Sequence, residues 1–465
     1  MFQRIKKYLY FFQLAIKGTE EDLTKTNIKR AIVLLSVPMV LEMVMESLFA
    51  VVDVFFVSQV STNAVATVGL TESIITIVYS LAIGLSMAAT AMVARRIGEK
   101  KPRKASVTAA QAISITLIVS IVLGIAGYTY GEEVLQLMGG SDELIAEGKW
   151  YTKIMYGSSG VIMMLFLING IFRGAGNATI AMRALWISNI LNMILDPIFI
   201  FGWGPIPEMG VTGAAVATLI GRSVGVVYQL IQLTNKKGVI KIYTNYLLPQ
   251  WHLIKRIVSI AAGGVGQFLI ESASWIFLTR IVAQFGSEAL AGYTIALRII
   301  IFTILPSFGI SNAAATLVGQ NLGAKLPERA EKSVWLAARY NVIFLFSVSV
   351  IFYLFTHEIV SLFTDINGVK QEAIKAIRFI CFGYIFFAYG MVVSHAFNGA
   401  GDTRTPSIIN LLSFWIIQIP LSYLLANEFG FGTSGVYIAI ITAFSLLATI
   451  SILWFRKGKW KLKEV

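Results

Sequence analysis

Cysteine is nearly missing from this chain. Cys381 stands alone among 465 residues, which excludes a disulfide framework and a cysteine-built metal centre. Histidine is scarce too: His252, His357 and His395 lie far apart and make no metal-ligand spacing. Charge is thin. Only 14% of residues are Asp, Glu, Lys or Arg, against about a quarter in an average soluble protein, and so few cannot cover the surface of a water-soluble fold. No Walker P-loop and no HExxH occurs. Gly430-Phe-Gly432-Thr-Ser-Gly435 has GxGxxG spacing but no preceding strand, so dinucleotide binding is rejected. No nucleophile–base pair stands in an apolar stretch, so an enzyme is not expected, nor a cofactor. What remains is apolar: 56% of residues are hydrophobic and the mean hydropathy is +0.74. Disorder is excluded by the same figures. The expected class is an all-α membrane protein.

A spanning helix needs about 20 mostly apolar residues, because hydrocarbon offers no partner to loose backbone groups. Twelve stretches qualify, near 31–57, 74–94, 105–127, 154–172, 180–201, 211–233, 257–279, 289–318, 334–356, 376–397, 407–426 and 435–455. The eighth contains Pro306, where a kink is expected. Taking the two ends and every second connection as one side, that side holds 29 Lys and Arg and the other 3. The bias places both termini in the cytoplasm and locates the chain in the cytoplasmic (inner) membrane. The net charge of +13 is thereby a topology signal, and nucleic acid is not an expected partner. Residues 5–16 interleave lysines with aromatic and aliphatic side chains, as an interfacial helix on the lipid surface does.

The chain repeats itself at an offset of 225. Gly84 to Ala105 and Gly309 to Ala330 agree at nine of 22 positions, and Glu46-Ser47 and Gly174-Ala175-Gly176 recur as Glu271-Ser272 and Gly399-Ala400-Gly401. The unit is six spans, an even number, so both copies share one orientation and their pseudo-twofold axis runs along the membrane normal. The expected architecture is twelve transmembrane helices in two parallel-repeat six-helix lobes around a central cleft. The divisions are a cytoplasmic segment 1–30, an N-lobe 31–233, a basic linker 234–256, a C-lobe 257–455 and a basic tail 456–465.

Ionised carboxylates in hydrocarbon cost several kcal/mol and persist where they face a wet cavity, share a proton or bind a cation. Glu42, Glu46 and Asp53 fall on one stripe of the first span at about 100° per residue. Asp53 lies near the outer end of that span. Asp196 lies near the outer end of the fifth, one turn after Asn192, and Thr218 comes early in the inward-running sixth. These four share an outer layer. Carboxylates, an amide oxygen and a hydroxyl suit a hard cation such as Na+, and two close carboxylates also favour holding a proton, so both ions remain open. Glu46, Glu42 and Glu271 are candidate substrate or proton contacts. At the constant offset Asp53 falls on Leu278 and Asp196 on Leu421, so the acid pair belongs to the first half alone. Arg222, Arg280 and Arg298 are expected as counter-ions or snorkelling side chains. His395 is expected to bridge helices by a hydrogen bond.

Several of these stretches together resemble the multidrug and toxic-compound extrusion (MATE) family over about residues 28–455. They are Ser36-Val-Pro38-Met39, Val52-Asp53-Val54-Phe55-Phe56-Val57, Arg173-Gly-Ala-Gly-Asn177, Asn189 to Pro197, Gly210 to Thr218, and Gly399-Ala-Gly-Asp402-Thr403. The resemblance implies a twelve-helix antiporter that expels small-molecule drugs and organic cations in exchange for Na+ or H+, working as a monomer among membrane lipids. It assigns a first-lobe cation site to Asp53, Asn192, Asp196 and Thr218. Glu271 resembles the seventh-span acid of some members, whose tenth-span partner acid is replaced here by Ile385 to Tyr389, without an acid. The alternative is a flippase for lipid-linked saccharides of a related superfamily, which would want basic residues in the cleft.

Overall fold

The computed structural model describes residues 11–18, 21–235 and 238–465. The start of the expected interfacial helix, 5–10, lies outside them, as do two residues of the linker; residues 11–17 are helical. The elements are α1 Ile28–Val57, α2 Thr62–Gly98, α3 Pro102–Leu137, α4 Asp142–Gly157, α5 Ser159–Gly174, α6 Ala178–Phe201, α7 Val211–Thr234, α8 Trp251–Ala283, α9 Ser287–Gly323, α10 Pro327–Ser361, α11 Asn367–Gly399, α12 Arg404–Glu428 and α13 Thr433–Arg456. Among the described residues, ten helices are long and apolar enough to cross a membrane, and α4 with α5, bent by 41°, make an eleventh. The acid-bearing α1, 30 residues long, is the twelfth span.

Local chemistry sets the helix ends. Asn27, Ser61 and Ser141 accept hydrogen bonds from the amides of Lys29, Ala64 and Leu144, satisfying donors that the first turn leaves free. Pro102 and Pro327 open α3 and α10 at positions where no amide is needed. The helices run past the expected spans: α2 and α9 are each 37 residues long. Hydropathy marks the hydrocarbon stretch and not the solvated turns beyond it. The fourth span shows this most, because its first half, α4, contains Asp142, Glu143, Glu147 and Lys149. α9 is continuous through Pro306; the non-helical backbone occurs instead at Phe355 in α10.

Two six-helix lobes pack side by side with the expected symmetry. α1 lies against α9, α2 against α8, and α2 against α9. The repeat maps the first two pairs onto each other and the third onto itself. Individual contacts obey it too. A methyl group on Gly84 would meet the Ala261 carbonyl at 2.6 Å, and one on Gly309 the Val40 amide at 2.5 Å. Likewise Gly98 lies against the Gln320 carbonyl and Gly323 against the Arg95 carbonyl, with no room for a side chain. The first turns of α1 cross over: Ile32, Leu35 and Met39 join an apolar core with α9, α10 and α11. Ile257 and Ile260 of α8, the counterparts of Ile32 and Leu35, join one with α2, α3 and α5.

All these approaches fall in the halves of the helices nearest the chain termini, so the cleft is closed on that face. Two further segments fasten it. The Arg329 guanidinium donates to the Leu23 and Thr26 carbonyls, while Lys100 reaches Asp22 at 2.7 Å. The tail runs the other way. Trp460 stacks on Phe455 at 4.5 Å, Lys461 pairs with Glu331 at 2.6 Å, and beyond them Arg95 and Arg96 of α2 donate to the carbonyls of Lys463 and Val465.

Candidate functional site

The ends of α1, α6 and α7 remote from the face bearing the chain termini bring the candidate layer together. α6 and α7 approach closely because Gly221 leaves room: a methyl there would sit 2.6 Å from the Ser188 carbonyl and 3.1 Å from the Asn192 side chain. That fit sets Thr218 opposite Asn192. The Asn192 Nδ2 donates to Asp196 Oδ1 at 3.1 Å and to Thr218 Oγ at 3.1 Å. Asp53 joins them from α1 and interacts with Asp196 through their like charges. All four side chains are buried.

Two oxygens of the layer lack a donor, Asn192 Oδ1 and Asp196 Oδ2. Buried acceptors normally have partners, so such a pair beside two carboxylates fits a bound cation or proton. Among the described residues no group of three or more His, Cys, Asp and Glu gathers as a metal centre. The donor set is carboxylate, amide and hydroxyl oxygen, which suits a hard monovalent ion.

Nearer the middle of the first lobe the other α1 acids are paired. Glu42 accepts from Asn169 at 3.0 Å and pairs with Arg173 at 3.4 Å, and Arg173 donates to Ser86 Oγ at 3.1 Å. Glu46 accepts from Asn189 at 3.1 Å and pairs with Arg222 at 3.6 Å. Arg222 is therefore a counter-ion, whereas Arg280 and Arg298 are exposed. Glu271 of α8 is half-buried and forms no ion pair among the described residues. His395 bonds the Met391 carbonyl of its own helix at 2.9 Å and packs edge-on against Phe308, so it bridges helices by ring contact and not by a hydrogen bond.

Glu72 was missed. It lies on α2 in the fields of Asp53, Arg222 and Arg298. It stands two residues before the expected second span, in a turn of α2 that hydropathy does not mark, and only the rotation of α2 turns it toward α1. The repeat register also needs correction. α6 begins at Ala178 and α12 at Arg404, a spacing of 226 (404 − 178). One extra residue shifts the pairing, so Asn192 and Asp196 correspond to Gln418 and Ser422, and not to Ile417 and Leu421. Gln418 and Ser422 are buried with no side-chain partner. The second lobe keeps a polar pair at this level and, among the described residues, carries no charge there.

The MatE family profile matches residues 38–198 and 265–424, one segment in each lobe. The probable multidrug resistance protein NorM of Thermotoga maritima is 27% identical over 450 residues, 94% of each chain. The multidrug export protein MepA of Staphylococcus aureus is 21% identical over 430 residues, 92% of this chain and 94% of the relative. A solved outward-facing structure of a multidrug resistance MATE transporter superposes with a TM-score of 0.89 at 27% identity, over 95% of this chain and 98% of that one. Twelve spans, a duplicated lobe and the profile's two matched halves lead to one conclusion: the chain belongs to the MatE family of multidrug efflux transporters.

Proposed function

We propose that the protein is a secondary antiporter of the cytoplasmic membrane, with both termini in the cytoplasm, that exports organic, often cationic, compounds in exchange for Na+ or H+. The observation that carries the reading is the buried Asp53–Asn192–Asp196–Thr218 layer with its two unpartnered oxygens. The closed cytoplasmic face supports an outward-facing state in which that layer meets the external ion. In this reading residues 31–233 bind the ion, 257–455 form the opposing wall, 234–256 connect them, and 456–465 brace the cytoplasmic side.

An ion entering between Asp53 and Asp196 removes their mutual repulsion and supplies the missing contacts of Asn192 Oδ1 and Asp196 Oδ2. α1, α6 and α7 then draw together and the substrate loses its place. Ion and substrate exchange because each favours a different state of the same lobe. Glu42 and Glu46 are offset by Arg173 and Arg222, while Glu72 and Glu271, which form no ion pair among the described residues, give a negative excess that suits cationic cargo. The flippase reading is weaker, because Arg173 and Arg222, buried in the first lobe, lie against the acids Glu42 and Glu46.

Ethidium efflux from vesicles under imposed gradients tests this, one gradient of Na+ only and one of H+ only. The expected outcome is efflux driven by one gradient and abolished in Asp53→Asn. Efflux indifferent to that substitution removes Asp53 from the mechanism.

A further inference from the structure

Arg222 does more than the cation layer requires. It lies on α7 one turn beyond Thr218, on the same face, and it is 3% exposed. Glu46 sits 3.6 Å from its Nη2, too far for a hydrogen bond. The rings of Phe49 and Tyr79 stand 5.2 and 5.7 Å from the guanidinium carbon, within cation–π range. Its Nε and Nη1 have no hydrogen-bond partner. A guanidinium has five donors in a fixed fork, and one that serves only as scaffold is found with them satisfied. Here the charge is caged by aromatic faces, hydrogen-bonded to the Tyr79 hydroxyl and only loosely paired with Glu46. Asp53 and Glu72 also lie within its field.

We propose that Arg222 is a positioning residue that acts as a tethered competitor cation: by partly neutralising the acidic face of the first lobe, it sets how tightly the Asp53–Asn192–Asp196–Thr218 layer holds the coupling ion. This rests on the reading of that layer as the ion site. The physical argument is direct. A site of two carboxylates, with Glu46 and Glu72 nearby, would hold an entering cation too firmly to release it each cycle. A fixed positive charge one turn away repels the ion, and the chain cannot lose it by diffusion. The loose pair with Glu46 lets the guanidinium lean toward the layer when the ion leaves and toward Glu46 when it returns. At an effective dielectric of about 20, a unit charge within about 10 Å changes ion affinity on the order of tenfold.

The experiment uses the full chain purified in detergent, with intrinsic tryptophan fluorescence as readout. One titration adds NaCl at alkaline pH; the other lowers the pH in sodium-free choline buffer. Wild type identifies which ion it answers. For that ion, Arg222→Gln is expected to tighten the response about tenfold, or to raise the acid midpoint by about one pH unit. Arg222→Lys, which keeps the charge, is expected to stay within about twofold. Glu46→Gln releases the guanidinium toward the layer and is expected to weaken the response. It supplies the answer should Arg222→Gln not fold, as judged by its melting curve. An unchanged or weaker ion response in folded Arg222→Gln overturns the proposal, as does an unchanged response in Glu46→Gln. Asp53→Asn separates the two levels. Loss of the response there upholds the ion site, whereas a wild type without response, or one that Asp53→Asn leaves intact, overturns the ion site and the role of Arg222 together.

Discussion

At the residue scale, the layer is built from side chains that hydrocarbon does not tolerate unpaired. Asn192 is its hub, donating both amide hydrogens, one to Asp196 and one to Thr218. Asn192→Leu fills the volume but removes both bonds and one ion ligand, so ion-driven ethidium efflux should fall by more than about tenfold, at unchanged protein yield. A residue outside the membrane makes a pH prediction. Burial pushes the Asp22 carboxyl upward, but hydrogen bonds from Lys100 and Thr24 outweigh it and hold the group at about 2. A depressed folded value means stability that is present above the unfolded value of 3.8 and lost as pH falls through about 2. Wild type should therefore melt higher than Asp22→Asn above pH 4, with the gap closing as the pH approaches 2; a scan of thermal unfolding against pH checks this. Residue type made Asp53, Asn192, Asp196 and Thr218 readable, because polar groups in a span are conspicuous. The Glu46–Arg222 pair and the place of Glu72 were not readable, because they depend on how three helices rotate against one another.

At the element scale, hydropathy located the twelve spans but not their ends. Solvated turns such as Thr62 to Ser73 of α2 carry no apolar signal, and neither does the polar α4. In the sequence the tail is a basic stretch and nothing more. Its order comes from two anchors far apart in sequence: Trp460 against Phe455 in one lobe, and the carbonyls of Lys463 and Val465 on Arg95 and Arg96 in the other. In this structure the strap joins the two lobes across the closed face that bears the termini. With Cys381 replaced by Ser, the pair Arg95→Cys and Lys463→Cys should be bridged by a reducible bis-methanethiosulfonate cross-linker about as long as the arginine side chain it replaces. Efflux should then drop by more than about fivefold and return on reduction. Gel mobility and vesicle efflux measure both steps.

At the scale of the whole molecule, the scaffold is symmetric and the chemistry is not. Gly98 against Gln320 and Gly323 against Arg95 are one contact made twice. Gly98→Val and Gly323→Val should therefore each hinder closure and slow efflux to a similar degree, on the order of tenfold, given that overpacking costs about 1–3 kcal/mol. Equal loss in both, compared at matched expression, is the expected outcome. The repeat was legible because glycine, proline and lysine positions in the connections survive divergence. Its one-residue shift before α12 was not, because Thr403 adds no break in hydropathy.

The uncharged Gln418–Ser422 pair of the second lobe has an electrical consequence. In the proposed exchange the single acidic layer takes up one monovalent ion per cycle, so a singly charged organic cation leaving against it moves no net charge across the bilayer. A membrane potential set by potassium and valinomycin should leave ethidium efflux unaltered while accelerating export of an uncharged dye. Voltage then becomes a driving force that the cargo, and not the transporter, switches on.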